Sequence, residues 1–168
     1  MAIVSSAAAG LRAASRATII QLRAPSLSTA ALEMEANDLV AAAPVPVVIS
    51  SRCDVALATS AAGVNLPESD ISVAAARTLL GRRMVGRSVH SIPSGQQAEL
   101  EGADYVIFGP VWESASHPGG APAGLAALAQ LVRSVGIPVV AIGGVTAARV
   151  AEILASGAAG YAAIRLFE

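Results

Sequence analysis

Ile137-Pro138-Val139-Val140-Ala141-Ile142-Gly143-Gly144-Val145-Thr146 is the stretch on which the fold of this chain turns. Pro138 lacks an N–H, which costs little at the first position of a strand. The apolar run from Val139 to Ile142 is strand-length and does not alternate with polar residues, as expected of a strand covered on both faces. Gly143 and Gly144 then permit a tight turn, and Thr146 opens an Ala-rich stretch with helical spacing. The segment reads as one complete unit of strand, turn and helix.

Outward from it, the same unit recurs in both directions. Apolar runs occur at Ala2–Ser5, Thr18–Leu22, Val45–Ser50, Gly63–Leu66, Met84–Val89, Asp104–Phe108, Pro138–Ile142 and Gly160–Ile164. Between them lie Ala8–Ser15, Ser28–Ala42, Asp54–Ser60, Val73–Leu80, Gly95–Gly102, Leu125–Val135 and Ala147–Ser156, whose Ala and Leu recur at helical intervals. Strands that alternate with helices imply parallel pairing through right-handed crossovers. Eight such strands predict a (β/α)8 TIM barrel, a single domain over residues 1–168, short for its class and lacking the last helix. A doubly wound open sheet is the alternative, and it rarely needs eight parallel strands in so few residues. Ser28-Thr29 is the expected start of the second helix, and Gly102, Gly136 and Gly157 are the expected left-handed caps. With no final helix, strands one and eight are expected to be poorly covered and closed by self-association, as a homo-oligomer, most simply a dimer.

Composition excludes several functions. Only 14% of residues are charged and 54% are hydrophobic, yet no run approaches the roughly 18 apolar residues of a membrane span. The net charge is −1, and one Trp, two Tyr and two Phe cannot supply a stacking ladder, so neither a nucleic acid nor a membrane is an expected partner. The single Cys53 forms no internal disulfide and no multi-cysteine metal site, which points to a reducing, cytoplasmic setting. Met1–Ala9 has no basic segment ahead of its apolar residues, and Arg12 and Arg16 follow soon after, so it reads as the first strand and helix rather than a signal peptide.

In such barrels the chemistry lies at the carboxyl ends of the strands. Gly143-Gly144 is the strongest candidate there, because exposed N–H groups at a helix start attract phosphate. A tight turn that needs Gly for its own geometry is the plainer reading. His90 ends the fifth strand and His117 lies in the long Trp112–Gly120 loop, a candidate lid; either His is a candidate general acid or base, and a solvated histidine is the plainer reading. Asp70 is a candidate Mg²⁺ ligand or a helix N-cap ahead of Val73. Arg23 is a candidate phosphate clamp or one half of an ion pair. Cys53 is most simply a small buried residue.

Several segments taken in order resemble the thiamine phosphate synthase family, which includes the related thiazole tautomerases. They are Ile20-Gln21-Leu22-Arg23, Arg52-Cys53-Asp54-Val55-Ala56-Leu57-Ala58, Gly63-Val64-Asn65-Leu66, Gly86-Arg87-Ser88-Val89-His90-Ser91, Gly102-Ala103-Asp104-Tyr105-Val106 with Phe108-Gly109-Pro110-Val111, and the opening segment itself. The resemblance implies a thiazole phosphate ligand near strands seven and eight, with Gly143 and Gly144 on its phosphate. It implies substrate contacts at Gln21, Arg23 and Ser88. For a synthase, which joins a pyrimidine methyl pyrophosphate to the thiazole phosphate, it implies Mg²⁺ at Asp70; for a tautomerase it implies no metal or other cofactor.

The chain departs from the synthase pattern at Pro25, where a Lys is usual, at Ser50-Ser51 in place of Asn-Asp, and at Ser116-His117 in place of Thr-Lys. Two positive charges and a metal-binding carboxylate of that pattern are thus absent, which leaves less to compensate a departing pyrophosphate. This favours a metal-independent thiazole tautomerase-like isomerase that moves a proton with His90 or His117. The tautomerase pattern compared with this chain has a His after Gly109, where this chain has Pro110, as in the synthase, and Arg165 stands where the family has a Ser-type phosphate contact. Two alternatives stand beside it: an Mg²⁺-dependent synthase, and a catalytically silent phosphate-binding homologue.

Overall fold

The structure is a computed structural model and describes residues 1–113 and 121–168. Its eight strands are β1 (Ala2–Val4), β2 (Ile20–Leu22), β3 (Val47–Ser50), β4 (Gly63–Leu66), β5 (Met84–Val89), β6 (Tyr105–Phe108), β7 (Val139–Ile142) and β8 (Gly160–Ala162). They pair in chain order, and every pair is parallel. A single parallel bridge between Ala2 and Ala163 joins the ends, with Ile3 N–H donating to Ala163 O at 3.0 Å and Ala163 N–H to Met1 O at 3.2 Å. The result is a nearly closed TIM barrel.

Seven α-helices are found among the described residues: α1 (Ala7–Ala13), α2 (Thr29–Ala42), α3 (Cys53–Ala58), α4 (Val73–Leu80), α5 (Ile92–Leu100), α6 (Gly124–Ser134) and α7 (Val150–Ala155). Serine starts four of them. Ser6, Ser28, Ser72 and Ser91 each accept through Oγ from the N–H three residues on, at 3.1–3.3 Å. Such caps contribute about 1 kcal/mol each by satisfying a donor the helix cannot. The expected cap at Asp70 is therefore corrected, since Ser72 performs that role. Ser91 forms a reciprocal capping box with Ser94, which moves the start of α5 ahead of the expected Gly95. The segment after β7 opens as a 3₁₀ turn over Ala147–Arg149 before α7.

Gly102 and Gly157 take the expected left-handed conformation, with φ of 90° and 87°. Gly136 does not. Val135 has already left the helix in an extended conformation, and the Gly136 N–H donates instead to Glu99 Oε1 at 2.6 Å. β8 leads into a 3₁₀ turn, Arg165–Phe167. That turn covers part of the seam: Phe167 is buried, stacks on Tyr161 with centroids 6.2 Å apart, and lies under the Arg16 guanidinium.

Strand parity separates two apolar regions. Ala2, Val4, Ile20, Leu22, Val47, Ile49, Val64, Leu66, Val106 and Phe108 face outward onto the helices. Ile3, Tyr105, Ile107 and Ala162 form a smaller cluster inside the barrel. The Tyr105 ring fills the space opposite Gly86, its register partner, where any side chain would collide with it. The Tyr105 hydroxyl is buried and has no partner among the described residues, and burial pushes its pKa well above the ordinary range. Tyr105→Phe is therefore expected to leave stability unchanged or raise it by up to about 1 kcal/mol in urea denaturation, since it removes an unpaired polar group at constant shape. A loss of stability would show that the hydroxyl has a partner, such as a buried water.

Candidate active site at the carboxyl ends of the strands

The alternation that sends Ile3 and Tyr105 inward also sends Gln21, Asn65 and Ser88 inward from β2, β4 and β5. Gln21 and Asn65 are each 3% exposed, which makes them costly residues to place in a barrel without partners. Asn65 Nδ2 donates to Ser88 Oγ at 3.0 Å. Gln21 Oε1 and Asn65 Oδ1 have no partner among the described residues, so two acceptors remain open inside the barrel. The family resemblance implies substrate roles for Gln21 and Ser88; Asn65, within the family-like Gly63-Val64-Asn65-Leu66, has no such implied role and is marked only as a polar residue at an inward position of a mostly apolar strand.

At the ends of β3 and β4 the chain turns sharply. Ser51 has φ of 70°, held by its N–H donating to Asn65 O at 3.0 Å, and its hydroxyl donates to the Asp70 carboxylate. Asp70 Oδ1 also accepts from Ile71 N at 2.8 Å. The loop that carries Asp70 is organised by Arg87, which leaves β5 on the outer face. Its guanidinium donates to Ile71 O at 2.6 Å and Glu68 O at 2.7 Å, with Asp70 O at 3.5 Å. Arg87 belongs to the Gly86-Arg87-Ser88-Val89-His90-Ser91 segment, but nothing local in the sequence signals this role.

Beside Ser51 lies a cleft of about 310 Å³, lined by Arg23, Ser50, Ser51, Arg52 and Pro67 among others. The exposed Arg23 makes no ion pair among the described residues. Arg52 is different: it grips Asp54 through two contacts, at 2.9 and 2.6 Å, and its charge is spent there. The pair lowers the Asp54 pKa, chiefly through the hydrogen bond from Arg52.

His90 stands at the end of β5. Its Nδ1 lies 2.5 Å from Gly109 O, and since a carbonyl only accepts, Nδ1 carries a proton. Its Nε2 lies 3.9 Å from Glu68 Oε2. His117 lies outside the described residues, as does most of the candidate lid.

The Gly143-Gly144 turn follows β7, with φ of 95° and 65°. Both glycines are required by close approach as well as by φ. A Cβ on Gly143 would lie 2.6 Å from Pro110 Cα, and one on Gly144 would lie 2.7 Å from Trp112 Cβ. The two readings of the turn are thus compatible: the glycines are demanded by packing, and among the described residues neither of their N–H groups has an acceptor. Arg165 is exposed in the turn after β8, and no hydrogen bond or ion pair joins it to Gly143-Gly144 among the described residues.

Cys53 is buried at the start of α3, and its thiol pKa is raised, mainly by burial and then by Asp70 and Asp54. The nucleophilic thiolate is scarce at neutral pH. A thiol reagent is expected to label Cys53 slowly in the native protein and fully in denaturant; rapid native labelling would contradict the burial.

A family model described as thiamine monophosphate synthase matches residues 2–167. The chain belongs to this family. The thiamine-phosphate synthase of Chloroflexus aurantiacus is 39% identical to this family member over 152 residues, covering 88% of the chain and 70% of that protein. The thiamine-phosphate synthase of Methanoculleus marisnigri is 38% identical over 161 residues, covering 93% and 76%. Among solved structures, a thiamine phosphate pyrophosphorylase from Pyrococcus furiosus superposes with a TM-score of 0.88 at 30% identity, covering 97% of this chain and 83% of that one. A 3-hexulose-6-phosphate synthase, at 18% identity and a TM-score of 0.71, shares the fold alone. The family resemblance read from the sequence is thereby established. No helix among the described residues is long and apolar enough to cross a membrane.

Proposed function

We propose that this chain is a thiamine-phosphate synthase, in preference to the tautomerase-like isomerase that the sequence alone favoured. The observation that carries this reading is the meeting of Asp70 and Ser51 beside the Arg23 cleft, on the opposite side of the barrel mouth from Gly143-Gly144. Two anionic groups, a pyrophosphate and a phosphate, would each face a site of their own. The names of the aligned relatives support the same reading.

In this reaction a ring nitrogen of the thiazole phosphate forms a bond to the pyrimidine methylene carbon. The bond from that carbon to pyrophosphate oxygen breaks, and pyrophosphate leaves with the electron pair. The family implies Mg²⁺ on the pyrophosphate. The donor set fits it: Mg²⁺ is commonly held by one or two carboxylates with substrate phosphates completing the shell, and Asp70 with the Ser51 hydroxyl supplies one such anchor. The ion would neutralise charge on the leaving group. The chain's own residues bind and orient. The N–H groups of the Gly143-Gly144 turn take the thiazole phosphate, Arg23 faces the pyrophosphate, and the open Gln21 Oε1 offers an acceptor to the pyrimidine. The Ser51 substitution that looked like a lost ligand in the sequence keeps an oxygen beside Asp70.

The isomerase reading keeps one specific support, His90 anchored through Nδ1 with Nε2 beside Glu68 at the rim. One pair of assays separates the two. Pyrophosphate release that requires both substrates and Mg²⁺ is the expected result. Isomerisation of thiazole carboxylate phosphate without metal, lost in His90→Ala, would replace the synthase reading. Binding of thiazole phosphate with neither activity would leave a silent phosphate-binding homologue.

A further inference from the structure

The Gly143-Gly144 turn is held from behind by groups that no motif contains. Trp112 N–H donates to Gly143 O at 3.2 Å, and Arg149 Nη1 donates to Gly144 O at 2.7 Å. The Arg149 guanidinium also lies over the Trp112 ring, 4.8 Å from its centroid. Three positions on two separate loops are thus interlocked: the root of the loop after β6, the turn after β7, and the 3₁₀ turn before α7.

The geometry of the peptide unit makes this consequential. In a trans peptide the carbonyl points opposite to the N–H of the next residue. Tying down Gly143 O turns the Gly144 N–H the other way, and tying down Gly144 O does the same for the Val145 N–H. Two successive N–H groups directed away from their anchored carbonyls form an anion-binding concavity. We propose that Arg149 is a positioning residue for the phosphate site, using Trp112 as a platform to fix the Gly144 carbonyl and so aim the N–H groups at a phosphate. This rests on the reading of Gly143-Gly144 as the phosphate site. Arg suits the role because a planar fork can stack on an aromatic face while donating at its edge, which an ammonium cannot do.

The test compares thiazole phosphate with its dephosphorylated alcohol in calorimetric titrations of the full chain and of Arg149→Met and Arg149→Lys. Trp112, the single Trp of the sequence, supplies a local fluorescence signal. The expected result is a tenfold or greater loss of affinity for thiazole phosphate in Arg149→Met, with the alcohol affected less than twofold. Arg149→Lys should recover only a minor part of the loss, and the Trp112 emission should change in both variants. Equal weakening of both ligands would overturn the proposal by showing a general structural role. Unchanged phosphate affinity in Arg149→Met would overturn it while leaving the phosphate site intact. Failure of the unmodified protein to bind thiazole phosphate would remove the site itself, and the proposal with it.

Discussion

Asp70→Asn is expected to lower Mg²⁺-dependent pyrophosphate release by about 100-fold or more, the scale on which removing one preorganised electrostatic contact to a developing charge acts. Asparagine keeps the shape of the side chain and an oxygen for the Ile71 N–H, so the loop held by Arg87 stays in place. What disappears is the negative charge beside Ser51 that would anchor the ion. The melting temperature should stay within a few degrees of the parent, and higher Mg²⁺ should restore part of the rate. A variant that retains activity within threefold would show that the ion is held elsewhere, and the assignment of Asp70 would fall.

Gly143→Ala acts through the backbone. A φ of 95° is open to glycine and strained for alanine, and the added Cβ would meet Pro110 Cα at 2.6 Å. That obstacle is main chain, so it cannot rotate away. Strain of this kind costs about 1–3 kcal/mol and the collision adds to it, so a total loss of about 2–4 kcal/mol is expected. In a chain of this size that corresponds to a fall of roughly 5–15 °C in melting temperature. Because the turn must move away from Pro110, the KM for thiazole phosphate should rise more than kcat falls. Unchanged stability and KM together would mean that the turn is adaptable and that its N–H groups are not preset.

The architecture was legible because its signal is local. A strand covered on both faces must be apolar at nearly every position, and all eight apolar runs contain an observed strand. The boundaries were less legible. Ser6, Ser72 and Ser91 cap helices with one oxygen each, a signal carried by a single residue amid many serines. Gly136 shows the same limit: a glycine after a helix reads as a left-handed cap, yet here a carboxylate on the neighbouring α5 draws its N–H into another conformation.

The candidate site could be read from the sequence only as single residues, not as an arrangement. Gln21, Ser88, Asp70, Gly143 and Gly144 were chosen because they stand at strand ends or match a family pattern. That Arg52 is neutralised by Asp54, and that Arg87 organises the Asp70 loop, could not be read from spacing. The charge count that favoured an isomerase treated Ser51 as a loss, whereas the fold sets its hydroxyl against Asp70.

By itself the sequence determined eight strands in parallel order, the glycine turn after the seventh, and membership of a phosphate-handling family, because apolar runs, chain direction and glycine's backbone freedom are properties of neighbouring residues. Only the tertiary structure decided that Ser51 meets Asp70, that Asn65 meets Ser88, and that Arg149 on Trp112 braces the Gly143-Gly144 turn. Those contacts depend on barrel register and on which side chains face inward, and both are fixed when strands distant in sequence pair and the sheet curves back toward its first strand.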